Sequence, residues 1–216
     1  MPDTVTRNAL VSSADGTTPP LRLNRQGNVV FADQYQQWIA EGRVYCSSDA
    51  DGNDTVAAIA TWVATTPQLI LDVPVGTTIV PLWVNATNAG QATGDTGSFM
   101  IMYDGIDRYG SGGTLETTTN MRTDDPRSNT VDCRSTPTAN AASSTGARLL
   151  YNQSFETNDG STAGAGAVDN LIWSARTQFS PVLVGPAGFL VWFESSATTS
   201  FQWSIGWAEF LTTEVV

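Results

Sequence analysis

The amino-acid sequence predicts an all-β fold, and three observations carry this prediction. Charged residues make up 14% of the 216 residues, below the ~25% of typical soluble proteins. Thr, Gly, Val and aromatic residues are frequent, and these types favour strands and turns over helices. Residues 182–210 place two apolar runs around a short polar loop. Because all-β domains of this length are commonly single, we expect one domain.

The two C-terminal runs have different patterns. The first, residues 188–193, is apolar at nearly every position, which is typical of a strand covered on both faces. In the second run the large apolar side chains share one face at a period of two: Phe201, Trp203, Ile205 and Trp207. The short loop between the runs predicts a β-hairpin, against which the core is expected to be built.

The N-terminal part predicts an arm and then a helix. Residues 1–27 are polar and turn-rich, and we interpret them as an extended arm that either lies on a neighbour or is partly disordered. The domain is expected to cover residues 28–216. Asp33 can cap a short helix that Gly42 would end. The apolar side chains of this helix recur at i, i+3 and i+4: Tyr35, Trp38 and Ile39.

Strand patterns follow in chain order, ahead of the two C-terminal runs. They cover residues 55–65, 68–73, 78–86, 98–103, 147–155 and 168–179. Pro81 has no N–H to donate to a neighbouring strand, so its strand is expected at a sheet edge or with a bulge.

A long loop insertion is predicted at residues 104–146, where Gly, Thr, Asp and Asn dominate. One short strand is expected there, near residues 130–133. Loops of this length usually carry function or contact neighbours. The patterns add up to about eight antiparallel strands with long loops, which most often form a jelly roll. The predicted fold is a single jelly-roll sandwich with one short N-terminal helix.

The charge balance argues against most enzyme classes. All ten basic residues are Arg, no Lys or His occurs, and the net charge is −11. Without His, a Ser-His-Asp or Cys-His arrangement cannot form, and without Lys neither can a phosphate-binding P-loop. A nucleic-acid binder needs basic residues clustered on one face, and the sequence has no such cluster. We therefore expect no enzyme activity, no cofactor and no direct nucleic-acid binding.

The cysteines and the apolar runs indicate a soluble chain made in the cytoplasm. Cys46 and Cys133 could pair, but two cysteines in such a chain are more often free and buried. No CxxC or Cys/His cluster suggests zinc. Residues 1–10 lack the apolar core of a signal peptide. No apolar run approaches the ~18 residues of a membrane span.

One weak metal candidate lies in the acidic turn at Asp49, Asp51 and Asp54. Calcium is bound by several carboxylate and carbonyl oxygens, which a short Asp/Asn loop can supply. The EF-hand pattern fails, because Gly52 stands at position 4 of the loop and Ala60 at position 12. A solvated acidic turn is the favoured interpretation.

Two further sets of residues suggest carbohydrate chemistry. Asp104, Asp107 and Glu116 offer the paired carboxylates that a glycosidase needs, although solvated loop acids are the simpler interpretation. The tryptophans could stack on sugars, although in alternating strands they are more often core: Trp38, Trp62, Trp83, Trp173, Trp192, Trp203 and Trp207.

The acidic pair Asp124-Asp125, together with Arg122 and Arg127, predicts a salt-bridge network in a loop or between subunits.

The layout resembles that of known viral proteins. Residues 34–46 (QYQQWIAEGRVYC), 65–86 (TTPQLILDVPVGTTIVPLWVNA) and 203–210 (WSIGWAEF) look like parts of structural proteins from environmental phage sequences. Over residues 28–212 the pattern is similar to single jelly-roll coat proteins of tailless viruses with an internal membrane. The resemblance rests on layout and not on a short motif.

The resemblance implies a virion capsid subunit that self-assembles into capsomers and a shell. Its long loops would form the outer surface or contact neighbours, and its partners would be copies of itself and other capsid proteins. It would lie near an internal viral membrane without inserting. The family has no catalytic residues to transfer. The sequence departs from many coat proteins because its arm is not basic, so another protein or the membrane would separate it from the genome.

Two alternatives remain open. A carbohydrate- or receptor-binding jelly-roll module of a viral spike or fibre predicts an exposed aromatic or acidic loop site on a discrete trimer, with or without calcium. A β-sandwich glycoside hydrolase predicts two nearby carboxylates in a groove.

Overall fold

The computed structural model describes residues 33–49, 54–89, 95–139, 146–157, 170–195 and 199–214. The predicted arm, residues 1–27, lies outside the described residues. The chain divides into two compact units, residues 1–37 and residues 38–216. All strands of the structure belong to the second unit.

The predicted helix is present as α1 (Gln34–Ala40). It begins where expected, because the Asp33 Oδ1 atom accepts a hydrogen bond of 3.0 Å from the Tyr35 N–H. It ends at Gly42, whose φ of 68° is favourable only for residues such as glycine. The N–H groups of Gly42 and Arg43 then bond back to the last carbonyls of the helix.

The described residues form fifteen strands, all antiparallel in their pairing: β1 (Val44–Ser48), β2 (Val56–Ala57), β3 (Leu69–Val73), β4 (Thr77–Asn88), β5 (Asp95–Asp104), β6 (Tyr109–Ser111), β7 (Thr114–Leu115), β8 (Thr118–Asn120), β9 (Asp132–Ser135), β10 (Thr138–Ala139), β11 (Arg148–Thr157), β12 (Asn170–Ser174), β13 (Leu183–Val184), β14 (Ala187–Ser195) and β15 (Ser200–Leu211). Eight of them have five or more residues. A 3-10 turn (Thr212–Glu214) follows β15.

Most of the strands form two sheets. Sheet 1 has the order β12-β4-β15-β1-β8, with β13 also on β4 and β2 also on β15. Sheet 2 has the order β11-β5-β14-β3-β9-β7, and β6 and β10 form a separate two-stranded ribbon. The prediction of an all-β fold is confirmed.

The main core lies between the two sheets and is rich in aromatic rings. Phe193 of sheet 2 stacks on Phe201 of sheet 1 with ring centroids 4.6 Å apart. Trp173 of sheet 1 meets Phe189 of sheet 2 at 5.6 Å. Such pairs add about 0.5–1.5 kcal/mol to the gain from burial. The sheets therefore pack face to face, like the layers of a β-sandwich.

The predicted C-terminal hairpin is wrong. Strand β14 lies between β3 and β5 in sheet 2, whereas β15 lies between β4 and β1 in sheet 1. The two apolar runs are consecutive in sequence but lie in opposite layers. The physical reason is that the apolar faces of both strands are buried against each other in the main core, where Phe193 stacks on Phe201.

Pro81 does not mark a sheet edge, because β4 lies between β12 and β15. Instead, the pairing register of β4 and β15 shifts next to it, so that Gly206 faces Trp83 and Trp207 faces Pro81. Of the two predicted alternatives, the bulge is therefore correct. The strand tolerates proline because the bulge removes the local need for its N–H group.

The insertion at residues 104–146 differs from the predicted long loops with one strand. It contains β6 to β10, of which β8 joins sheet 1 while β7 and β9 join sheet 2. Val131 and Cys133 are fully buried in the main core. Isolated apolar residues in a polar stretch give no periodicity, so only their tertiary contacts make these segments strands.

We predict that Gly97→Ala destabilises the fold. A Cβ atom at Gly97 would collide with the Phe155 ring and with the backbone carbonyl of Glu194. Overpacking of this kind costs about 1–3 kcal/mol. Urea unfolding followed by tryptophan fluorescence should show a lower midpoint.

The matched control is Gly105→Ala, since a Cβ atom there would meet nothing within 4 Å. This variant should stay within about 0.5 kcal/mol of the parent protein. Equal midpoints for both variants would contradict the crowding at Gly97.

Candidate functional site

A polar depression lies at one end of sheet 2. It encloses about 300 Å³, at the lower limit of typical ligand pockets. Glu194, Ser98 and Ser154 stand beside one another on three adjacent strands. Their neighbours in sequence point into the core, so the three side chains lie on the outer face. The depression is lined by Ala60, Thr96, Gly97, Ser98, Ser154, Glu194 and Ser195.

This site combines hydroxyl groups with one carboxylate. Hydroxyls both donate and accept hydrogen bonds, and an ionised carboxylate only accepts. The arrangement suits a small hydroxyl-rich ligand. The described residues that line the depression do not provide a second carboxylate for glycoside hydrolysis.

An apolar cluster lies elsewhere on the outer face of sheet 2. It contains buried Ile70, Leu190, Trp192 and Ala139. The Trp192 Nε1–H donates to the Val63 carbonyl at 3.0 Å. Its ring lies 6.0 Å from that of Trp62, the only tryptophan that is more than a third exposed.

The other tryptophans do not form a sugar platform. Trp173, Trp203 and Trp207 belong to the main core. Trp38 packs edge-on against Phe210. The Trp83 ring covers Gly206 on the outer face of sheet 1.

The three glycosidase candidates have separate structural roles. Asp104 is buried and accepts hydrogen bonds from the Arg108 guanidinium, at 2.6 Å from Nε and also from Nη2. Asp107 accepts from the Tyr109 N–H at 2.9 Å. Glu116 accepts from the Ser135 hydroxyl. None of the three carboxylates lines the depression.

The calcium candidates are described only in part. The Asp49 Oδ1 atom accepts a 3.2 Å hydrogen bond from the Asp54 N–H, as in a local turn. Asp51 lies outside the described residues. Within the described ranges, no group of three or more His, Cys, Asp or Glu side chains is placed to hold a metal ion. Calcium binding stays a prediction.

The predicted loop network consists of two ion pairs. The Arg122 Nε–H donates to the Asp124 Oδ1 atom at 2.9 Å, and the Arg127 Nη2–H donates to the Asp125 Oδ2 atom at 2.7 Å. Each hydrogen bond holds the pKa of its aspartate below the usual value. The Arg122 Nη1–H also donates to the Ala40 carbonyl, which fastens the loop to the end of α1.

The cysteines are both free, as predicted. Cys133 is buried in the core, and burial raises the pKa of its thiol to about 12. Cys46 is only partly buried, contrary to the prediction, and its Sγ atom lies 3.3 Å from the Thr119 hydroxyl. A thiol held protonated in the core is chemically inert.

The sequence analysis did not predict a pair of neighbouring aspartates on sheet 2. Asp72 on β3 faces Asp132 on β9. Burial raises the pKa of Asp72 to about 6, with contributions from the charges of Asp107 and Asp132 and an opposing one from Arg134. Arg134 donates to Asp132 at 3.0 Å and lies over the Tyr109 ring. The one sequence signal is a single carboxylate inside the apolar run LILDV.

Comparisons with protein-family models, curated proteins and solved structures find no match to this chain. In the part of the chain that the structure describes, no helix is both long enough and apolar enough to cross a membrane.

We predict that Asp72→Asn stabilises the protein at neutral pH. The folded pKa of Asp72 lies above its unfolded value of 3.8. Its contribution to stability is therefore present below pH 3.8 and is lost as the pH rises through about 6. The Asn variant has no such loss. Its advantage in melting temperature should be absent below about pH 4 and complete above about pH 7.

Asp124→Asn is the control with the opposite sign, since its ion pair lowers the pKa of Asp124. This variant should gain no stability at neutral pH. A constant advantage of Asp72→Asn at every pH would show that titration is not its cause.

Proposed function

We propose that the chain is a non-catalytic capsid subunit, built as a single jelly roll, that assembles with copies of itself in a virion. The observation that carries this proposal is how the eight strands of five or more residues pair. When these are counted from 1 to 8 in chain order, strand 1 pairs with 8, 2 with 7, 3 with 6 and 4 with 5: β1 with β15, β3 with β14, β4 with β12 and β5 with β11.

This pairing is the pattern of one long antiparallel hairpin rolled into two layers. The roll is closed where β4 meets β15 and β5 meets β14. Rolling leaves few exposed edges, which protects a sheet protein from uncontrolled aggregation. A shell subunit needs such a core together with surfaces that fit other copies.

The charges support a subunit that stays off the genome. Five of the seven arginines in the described part of the chain form ion pairs with carboxylates. Little positive charge is then left for phosphate in the described part of the chain. Another capsid protein or an internal membrane would lie between this subunit and the nucleic acid.

The test is negative-stain electron microscopy of the purified chain over a range of protein and salt concentrations. We expect capsomers, sheets or shells that increase with protein concentration. They should also increase with salt, because the net charge of −11 opposes association. Raising the ionic strength from about 0.1 M to 1 M shortens the Debye length from ~10 Å to ~3 Å. A discrete monomer or trimer under all conditions would contradict the proposal.

The depression on sheet 2 favours a second candidate, a glycan-binding module. Saturation-transfer NMR with a panel of monosaccharides would detect such binding. Glu194→Gln should abolish the signal, because a neutral amide replaces the only carboxylate among the described lining residues, whereas Asp124→Asn should not. An absence of transfer to any sugar would remove this candidate.

A further inference from the structure

Two edge strands of sheet 1, β12 and β13, each expose one large apolar side chain on the outer face. Leu171, Trp173 and Leu183 are buried in the core. Ile172 lies between Leu171 and Trp173 in sequence, and Val184 follows Leu183. Because successive side chains of a strand alternate between its faces, Ile172 and Val184 point outward. They are 55% and 49% exposed.

The segment between these strands continues the exposed apolar surface. It runs along the edge of β4, because the Ala175 N–H donates to the Leu82 carbonyl and the Ser180 hydroxyl donates to the Pro81 carbonyl. Phe179 within it is 94% exposed and Val182 is 55% exposed. We define the apolar strip as Ile172, Phe179, Val182 and Val184.

The fold itself does not require the apolar strip. In a two-layer sandwich the outer face of an antiparallel sheet is normally polar. Leu171, Trp173 and Leu183 already supply the core contacts of these strands. A phenylalanine that is 94% exposed contributes almost nothing to the stability of an isolated chain.

In the part of the chain that the structure describes, charged residues are scarce around the apolar strip. Residues 170–193 contain Arg176 as their only charged residue, and residues 73–89, which include β4, contain none. Residues 114–135 contain seven charged residues. They include β8, at the edge of sheet 1 that is far from β12, and β9 and β7, at one edge of sheet 2. Two copies that each carry a charge of −11 repel each other. A contact between copies is therefore least opposed where acidic residues are missing.

The size of the apolar strip also fits a contact between copies. Its four side chains expose roughly 400 Å² of apolar surface, about half of the ~800 Å² that each partner contributes to a standard interface. Slightly more than half of such an interface is apolar, and charged residues are depleted from its centre. The strip matches both properties, because its surroundings in the described residues are polar and carry little charge.

We infer that the apolar strip is the surface through which a second copy of this chain docks, strip against strip about a two-fold axis. The choice of a second copy as the partner rests on the proposed function. An uncharged apolar surface is complementary to itself, as an isologous contact requires. A strongly basic partner would instead be attracted to the acidic surfaces of the molecule.

The copies meet through side chains and not through a shared sheet. Pro181 and Pro186 flank β13, and proline lacks the N–H group that an added strand would bond. Phe179, the most exposed member of the strip, is expected at the centre of the contact.

The experiment is sedimentation velocity of the full chain over a range of concentrations, with Phe179→Glu and Val184→Thr as variants. The wild type should self-associate. Phe179→Glu should weaken association by roughly tenfold or more, as loss of a central aromatic residue does, and Val184→Thr should weaken it less. Melting temperatures equal to that of the wild type would confirm that both variants are folded.

The matched control is Leu115→Glu on β7. Leu115 is as exposed as Ile172 and Val182, at 55%. It lies on β7, an edge strand of sheet 2, and not on β12 or β13 of sheet 1. This variant should associate like the wild type. If Phe179→Glu and Leu115→Glu weaken association equally, added charge and not the strip is responsible, and the inference is overturned.

A cross-linking measurement tests the two-fold arrangement. In a Cys46→Ser background, Phe179→Cys should form disulfide-linked dimers under mild oxidation, because symmetry brings residue 179 of both copies together. Leu115→Cys in the same background should form far fewer. Equal yields would contradict an isologous contact at the strip.

The outcomes separate this inference from the proposed function. Shells that form equally well with Phe179→Glu would support the capsid subunit and overturn the strip. Dimers that depend on Phe179 but never grow further would support the strip and overturn the capsid subunit. A monomeric wild type that binds neutral phosphatidylcholine vesicles through Phe179 would assign the strip to a lipid surface, which also overturns the inference.

Discussion

The structure depends on the contact between Phe193 and Phe201, whose rings stack at 4.6 Å across the core. The two residues belong to β14 and β15, which are consecutive in sequence and lie in opposite sheets. Each of these strands has a neighbour on both sides, so the contact joins the middles of the two layers. Phe99 stacks on Phe193 at 5.5 Å, and Phe155 meets Phe201 edge-on at 5.4 Å. The close packing there explains why β5 has a glycine at position 97.

The polar groups divide the molecule into two unlike sides. Most charged residues of the segment 104–146 are held in local ion pairs, among them Asp104 with Arg108 and Asp132 with Arg134. The buried first pair adds little net stability, because removal of both charges from water offsets their attraction. Among the described residues, the opposite side, around β12 and β13, has little charge and carries the exposed apolar strip. A strongly acidic chain that associates with its own copies would have this division, because repulsion is smallest on the uncharged side.

The candidate sites were only weakly visible in the sequence. The hydroxyls and the carboxylate of the depression come from β5, β11 and β14, which are far apart along the chain and adjacent only in the sheet. Asp72 gave a single signal, a carboxylate in an apolar run, while its acidic neighbours Asp107 and Asp132 are brought to it by the fold. Closeness in sequence was also a poor guide to a shared site. Asp104, Asp107 and Glu116 are close in sequence but bond to different partners.

The sequence by itself determined the local structure. Asp33 and Gly42 set the ends of α1 through hydrogen bonds that span a few residues, and the period-two pattern of residues 201–207 made a strand with one buried face. Composition was enough for the all-β class. Tertiary structure alone decided which strands pair, because periodicity specifies the face of a side chain and not the neighbour of its strand. For this reason the two C-terminal runs lie in different sheets, β4 is central despite Pro81, and the polar segment 104–146 supplies strands to both layers.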